Sequence, residues 1–161
     1  MGADASPLRR ARERDLERLV ALFSILLEYH AERSPRLALR AGAEAEEELR
    51  RLLTARLRHP ESRVLVWDED GDLSGLCVAR VLERPAIFAE TDRGEIEHLL
   101  VRESARRRGV GRALAEAALT WMEERGIRRA EVQVVVENAG ARAFWRALGF
   151  EAAMDVLERR L

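Results

Sequence analysis

The chain has 161 residues, 47% of them hydrophobic and 35% charged, with 28 basic against 29 acidic side chains and a net charge of −1. These figures describe a globular chain that buries a sizeable core, and they exclude a disordered segment and a strongly basic nucleic-acid binder. Every basic residue other than the three histidines is arginine, so no lysine can act as nucleophile, Schiff-base former or phosphate-loop ligand.

Taken in chain order, "PLRRARERD" (7–15) opens with a short apolar strand and closes on Asp15, a suitable helix N-cap. Leu16, Leu19, Val20, Phe23, Leu26, Leu27 and His30 then keep helical spacing. That first helix must stop near Pro35. A second helix is expected from about Glu44 to Arg58, with its acids first and its arginines last, as the helix dipole favours. After Pro60 the period changes to two. "SRVLVW" (62–67) and "LSGLCVARVL" (73–82) read as a hairpin about the turn "DEDGD". "ERPAIFAETDRG" is a loop, and "EIEHLLV" (95–101) is the next strand.

The densest signal follows. "ESARRRGVGRAL" (103–114) joins three arginines to Gly-Val-Gly at the start of a helix that runs to about Arg125, with Gly126 as its C-cap. Glycine permits close approach to the backbone. The first N–H groups of a helix have no partner within it and attract anions. Arg106, Arg107 and Arg108 add charge-assisted donors, so the stretch reads as a phosphate site. "RAEVQVVV" (129–136) is expected as a strand covered on both faces. "NAGARAFWRAL" (138–148) is a short helix with Asn138 as N-cap and Gly149 beyond its end, and "FEAAMDVLERRL" (150–161) reads as a last strand. The order β-α-α-β-β-β-α-β-α-β describes one mixed α/β domain over residues 1–161, with 1–6 as a flexible lead-in.

Cys77 is the only cysteine, so no internal disulfide forms, and His30, His59 and His98 lack metal-ligand spacing. No metal site is expected. No apolar run is long enough to span a membrane, and the expected location is the cytoplasm. "MGADAS" fits the loose myristoylation pattern of Gly2 with Ser6. Two familiar phosphate loops fail: a Walker loop needs a lysine, and "GVGRAL" puts Leu114 where a dinucleotide fingerprint needs its third glycine, although Glu131 lies at the distance of a ribose-binding acid.

"RRRGVG" at 106–111 resembles the [Q/R]-x-x-G-x-[G/A] acetyl-CoA motif of the Gcn5-related N-acetyltransferases (GNAT). "EIEHLLV" looks like that family's fourth strand, and "VVVENAGARAFWRALGF" like its fifth strand and following helix. The resemblance implies a GNAT-like fold: one mixed, mostly antiparallel sheet with splayed central parallel strands and helices on both faces. It implies acetyl-CoA as co-substrate, an amine acceptor as partner, and neither nucleic acid nor membrane; it leaves a homodimer open. Residue by residue, it implies that Arg106 to Arg112 (Arg106, Arg107, Arg108, Gly109, Val110, Gly111, Arg112) hold the pyrophosphate. Leu99, Leu100 and Val101 would present strand backbone to the pantetheine arm, Asn138 would lie near the thiol end, and Phe144 and Leu148 would pack the last helix.

Glu95 and Glu97 are two apart on one strand, so alternation puts both on one face, with Ile96 and His98 on the other. The resemblance makes that face the one toward the acetyl group. Mutual repulsion would raise one carboxyl pKa toward a useful base, with Glu97 slightly preferred. Trp145 stands where the family carries a tyrosine acid, and an indole only donates. The leading expectation is an acetyl-CoA-dependent N-acetyltransferase acting on a primary amine of a small molecule or peptide by direct attack on the thioester. The alternatives are a non-catalytic acyl-CoA sensor and, more remotely, a nicotinamide-dependent oxidoreductase. The acceptor would be shaped by the first two helices, the Ser34-Pro35 loop and residues 84–93. Arg33, Arg36 and Arg40 could meet a carboxylate-bearing amine, solvation being the simpler reading.

Overall fold

The computed structural model describes residues 6–33, 39–40, 42–159 and 161. The Gly2 pattern and the Ser34-Pro35 loop lie outside these residues, as do Arg36 and all of the 1–6 lead-in except Ser6. The elements are β1 (Leu8–Arg10), α1 (Leu16–Arg33), α2 (Ala43–Arg58), β2 (Ser62–Glu69), β3 (Asp72–Glu83), β4 (Asp92–Val101), α3 (Val110–Glu124), β5 (Ala130–Val132) and α4 (Ala139–Ala147). The strands lie in the order β1-β2-β3-β4-β5, antiparallel except for the parallel pair β4–β5.

Side-chain alternation on the central strand β3 builds a core on each side of the sheet. Leu76 and Val78 join Leu19, Leu22, Phe23 and Leu53 under α1 and α2. Cys77 and Ala79 join Val110, Leu114, Ala118 and Met122 under α3. The β2–β3 hairpin closes at Asp70-Gly71, tighter than the five-residue turn expected, with φ of 53° and 89°. Those left-handed values suit the turn an Asp-Gly pair favours. Gly126 and Gly149 end α3 and α4 as expected: each has positive φ, and the next residue, Ile127 or Phe150, donates back to Met122 or Trp145. Asn138 caps α4 by accepting from the Ala141 N–H at 2.9 Å.

Four expectations change. Asp15 does not cap α1 with its side chain; fully buried, it accepts from Arg9, Arg18 and the Arg12 N–H. An interior carboxylate needs partners more than a helix end needs a cap. The strand expected over 129–136 pairs only at Ala130, Glu131 and Val132. The tail expected as a last strand forms none over residues 150–159. Met154, Val156 and Leu157 there are 82%, 79% and 93% exposed; strand propensity without a packed face does not hold a strand. The parallel pair β4–β5 therefore closes the sheet at one edge instead of lying in its centre.

The fourth change lies in β4. Ala79 pairs with Ile96 and Val78 with His98, so Glu97 is an extra residue with no opposite number. Such a β-bulge bends the strand and re-aims its side chains. The β4–β5 ladder stops at Ile96 and Val132, immediately before it. From that point β4 has no paired β5 residue, at the place where the resemblance expects the strands to splay.

Candidate functional site

The bulge reshuffles the faces of β4. Ile96 enters the core under α3. His98 turns to the opposite face, its ring edge-on to Phe23 of α1 at 4.7 Å between centroids. Ile96 and His98 thus do not share a face, because the inserted residue breaks the alternation. Glu95 and Glu97 do share one: the side of α1 and α2, where each meets an arginine. Arg56 of α2 grips Glu97 with two bonds, Nε to Oε2 at 2.6 Å and Nη2 to Oε1 at 2.8 Å. Arg80 of β3 donates to Glu95 Oε2 at 2.6 Å.

This pairing reverses the expected electrostatics. Burial pushes the Glu97 carboxyl upward, but the Arg56 bonds and the charges of Arg56, His98 and Arg80 outweigh it and hold the group below its usual value. Burial lowers His98 below the ordinary histidine value, although Glu97 pulls the other way. At neutral pH the face therefore holds an ionised Glu97 and an uncharged imidazole.

On the other side of the gap, β4 runs into the arginine-glycine loop. Leu99 and Val101 pack toward α3, and Leu100 toward α1 and α2. Arg106 donates from Nε to the Val101 carbonyl at 3.1 Å and lies 5.3 Å over the Tyr29 ring, tying the loop to α1. Arg108 reaches Glu69 of the hairpin at 2.7 Å, and Arg112 pairs with Glu116 at 3.2 Å. The three consecutive arginines therefore do not converge as a cluster. Arg107 and Gly109 both adopt positive φ, 58° and 83°. This turn leads into α3, whose first N–H groups, from Val110, Gly111 and Arg112, have no carbonyl one turn back to bond.

A methyl built on Gly109 would meet nothing within 4 Å, whereas one on Gly111 would sit 3.4 Å from Val101 Cγ2 and 3.6 Å from Phe144 Cε2. Gly109 faces open space, and a methyl on Gly111 would stand in ordinary contact with β4 and α4. Asn138, at the start of α4, spends its side-chain oxygen on the cap. Trp145 is 6% exposed, edge-on to Phe144 at 5.0 Å and Phe150 at 5.1 Å. Glu131, the ribose-acid candidate, is held by Arg93. Arg40 lies 3.9 Å from Glu44, both highly exposed. Sequence reasoning missed Arg56, Arg80 and the aim of His98. A bulge has no residue signature here, and the two arginines are two among 28 basic residues.

Comparison with known proteins places these features in a group. A family model described as "Acetyltransferase (GNAT) family" matches residues 19–150. The chain is 36% identical over 137 residues to a mycothiol acetyltransferase of Beutenbergia cavernae, covering 71% of this chain and 44% of that one. It is 35% identical over 96 residues to an uncharacterised N-acetyltransferase of Methanocaldococcus jannaschii, covering 53% and 42%. It thus spans less than half the length of either relative. Among solved structures, a tetramutant of the Bacillus halodurans BH1408 protein superposes with a TM-score of 0.82 at 22% identity, covering 96% of this chain and 99% of that one. The aminoglycoside N-acetyltransferase AAC(6')-Iy in complex with CoA superposes at 0.74 and 21%, covering 96% and 93%. At these identities the structural likeness establishes the fold.

Proposed function

The chain belongs to the acetyltransferase (GNAT) family, and from that premise we propose that it is an acetyl-CoA-dependent N-acetyltransferase. It moves an acetyl group to a primary amine of a small molecule or peptide by direct attack on the thioester. The observation that carries this reading is the juxtaposition at β4. The strand loses its β5 partner after Ile96 and leads straight into the left-handed turn before α3.

The residues fit acetyl-CoA. The space beside Gly109 is open, and the N–H groups of Val110, Gly111 and Arg112 suit a pyrophosphate. Arg106 is held by the Val101 carbonyl, Arg108 by Glu69 and Arg112 by Glu116, so Arg107 is the arginine assigned to add charge. In this reading the backbone of Leu99, Leu100 and Val101 serves the pantetheine arm as a strand edge, and Asn138 and Trp145, at the start of and within α4, serve its thiol end. Acetyl-CoA supplies an activated acetyl group as a thioester. The chain's part is to orient it, to exclude water between β4 and α4, and to receive the amine from the α1–α2 side, where Glu95 and Glu97 stand paired with Arg80 and Arg56. No metal takes part in this scheme. A cytoplasmic setting suits acetyl-CoA as co-substrate; as a separate fact, among the described residues no helix is long and apolar enough to cross a membrane.

Calorimetry with acetyl-CoA, followed by free-thiol assay against amines, amino acids, peptides and aminoglycosides, tests the reading. Binding that weakens with salt, together with turnover of one amine class, is the expected result. No binding at millimolar acetyl-CoA would overturn it.

A further inference from the structure

We propose that His98, rather than Glu97 or Glu95, takes the proton from the attacking amine. This rests on the acetyltransferase reading above and names the proton acceptor of that same site. Three observations carry it. The bulge at Glu97 sends two consecutive residues, Glu97 and His98, to the α1–α2 side. The carboxylates there are engaged: Glu97 accepts from Arg56 on both oxygens, and Glu95 accepts one bond from Arg80. A carboxylate whose lone pairs are held by a guanidinium is a weak proton acceptor. His98, by contrast, makes no hydrogen bond or ion pair among the described residues, and its ring nitrogens are not sealed off from the surface.

The surroundings suit the role. From β4 come Glu95 and Glu97, from β3 Arg80, from α2 Arg56, and from α1 the ring of Phe23. The two negative and two positive charges compensate, so burial against the aromatic ring decides, and the imidazole is neutral with a free lone pair at pH 7. Once protonated, it sits beside the Glu97 carboxylate, which stabilises the imidazolium.

The step balances. An N–H bond of the ammonium breaks, its proton passes to the imidazole, and the pair left on nitrogen forms the C–N bond to the acetyl carbon. The C–S bond breaks with its pair on sulfur, and the second nitrogen proton goes to that thiolate. His98 then releases its proton to water.

The test is the pH dependence of kcat/KM for the best amine of the panel, in wild type, His98→Asn and Glu97→Gln, each checked for thermal unfolding and for acetyl-CoA affinity. Wild type should lose activity on acidification with a midpoint below the ordinary histidine value. His98→Asn should bind acetyl-CoA normally, fall about 10²-fold at neutral pH and lose that acid limb. Glu97→Gln should keep the limb but move it to lower pH, because a neighbouring negative charge is gone. If His98→Asn does not fold, the ring titration of His98 by NMR in wild type decides, and a midpoint above 7 overturns the proposal. An active wild type with a fully active His98→Asn, or a Glu97→Gln that abolishes the limb, overturns it while leaving the acetyltransferase reading intact. A wild type that turns over no amine overturns both.

Discussion

Gly109 and Gly111 stand two residues apart in one motif, yet the structure separates their jobs. Gly109, at φ 83°, holds a backbone shape that side chains resist, with open space beside it. Gly111 has ordinary helical geometry, and a methyl there would touch Val101 and Phe144. Gly109→Val should therefore weaken acetyl-CoA binding by tenfold or more, about 1.4 kcal/mol, while the fold survives. Gly111→Val should chiefly lower stability by overpacking. Calorimetry beside urea unfolding separates the two, and equal effects on binding and stability in both variants would refute the division. Asp15 makes a different residue-scale case. Its bonds to Arg9, burial working against them, and the Arg12 N–H together hold its carboxyl well below the usual range. A depressed folded-state pKa contributes stability above the unfolded value, about 3.9, and that stability is lost as pH falls through the folded one. Asp15→Asn should cost about 3 kcal/mol at neutral pH, as breaking a buried pair does. The gap from wild type should narrow in acid; denaturant unfolding at pH 7 and below pH 3 measures both.

At the scale of elements, the absence of a side chain at one position of β3 makes room for two side chains of α3. A methyl on Gly75 of β3 would come within 2.8 Å of Leu114 Cδ1 and 2.9 Å of Val110 Cγ1. Both are fully or almost fully buried. Gly75→Ala should destabilise the protein by about 1–3 kcal/mol through overpacking, and Leu114→Ala in the same chain should recover part of that loss. A non-additive double-mutant cycle is the expected readout; strict additivity would mean that the helix simply moves away. The hairpin, α2 and the two glycine-ended helices, α3 and α4, were legible because each carries a local signal: a period, a charge order, an Asp-Gly turn. The ends of β5 and the tail were not. Their apolar runs promise strands, but only a neighbouring ladder makes one, and that ladder stops at the bulge.

For the whole molecule, the sheet separates two cores, and Cys77 lies in the one beneath α3, with no exposed surface. Burial pushes its thiol up to about 12, so it is neither nucleophilic nor accessible while the chain is folded. A thiol reagent should react with native protein only as fast as the protein opens globally. Labelling rates across a urea series should follow the unfolding equilibrium, and rapid labelling without denaturant would disprove the burial. The proposed chemistry draws on both sides of this division: the turn before α3, and the face of β4 under α1 and α2 that carries Glu97 and His98.

The sequence by itself determined the class of fold, the family likeness and the position of the arginine-glycine turn, because each depends on residues close together in the chain. It also put Glu95 and Glu97 on one face, although by an alternation that the strand does not keep. Only the tertiary structure decided that Glu97 is an extra residue, that Arg56 and Arg80 bond the two carboxylates, and that His98 turns to join them. The physical reason is distance along the chain. Arg56 and Glu97 are 41 residues apart, and an ion pair over such a separation exists only once helix and strand are packed together.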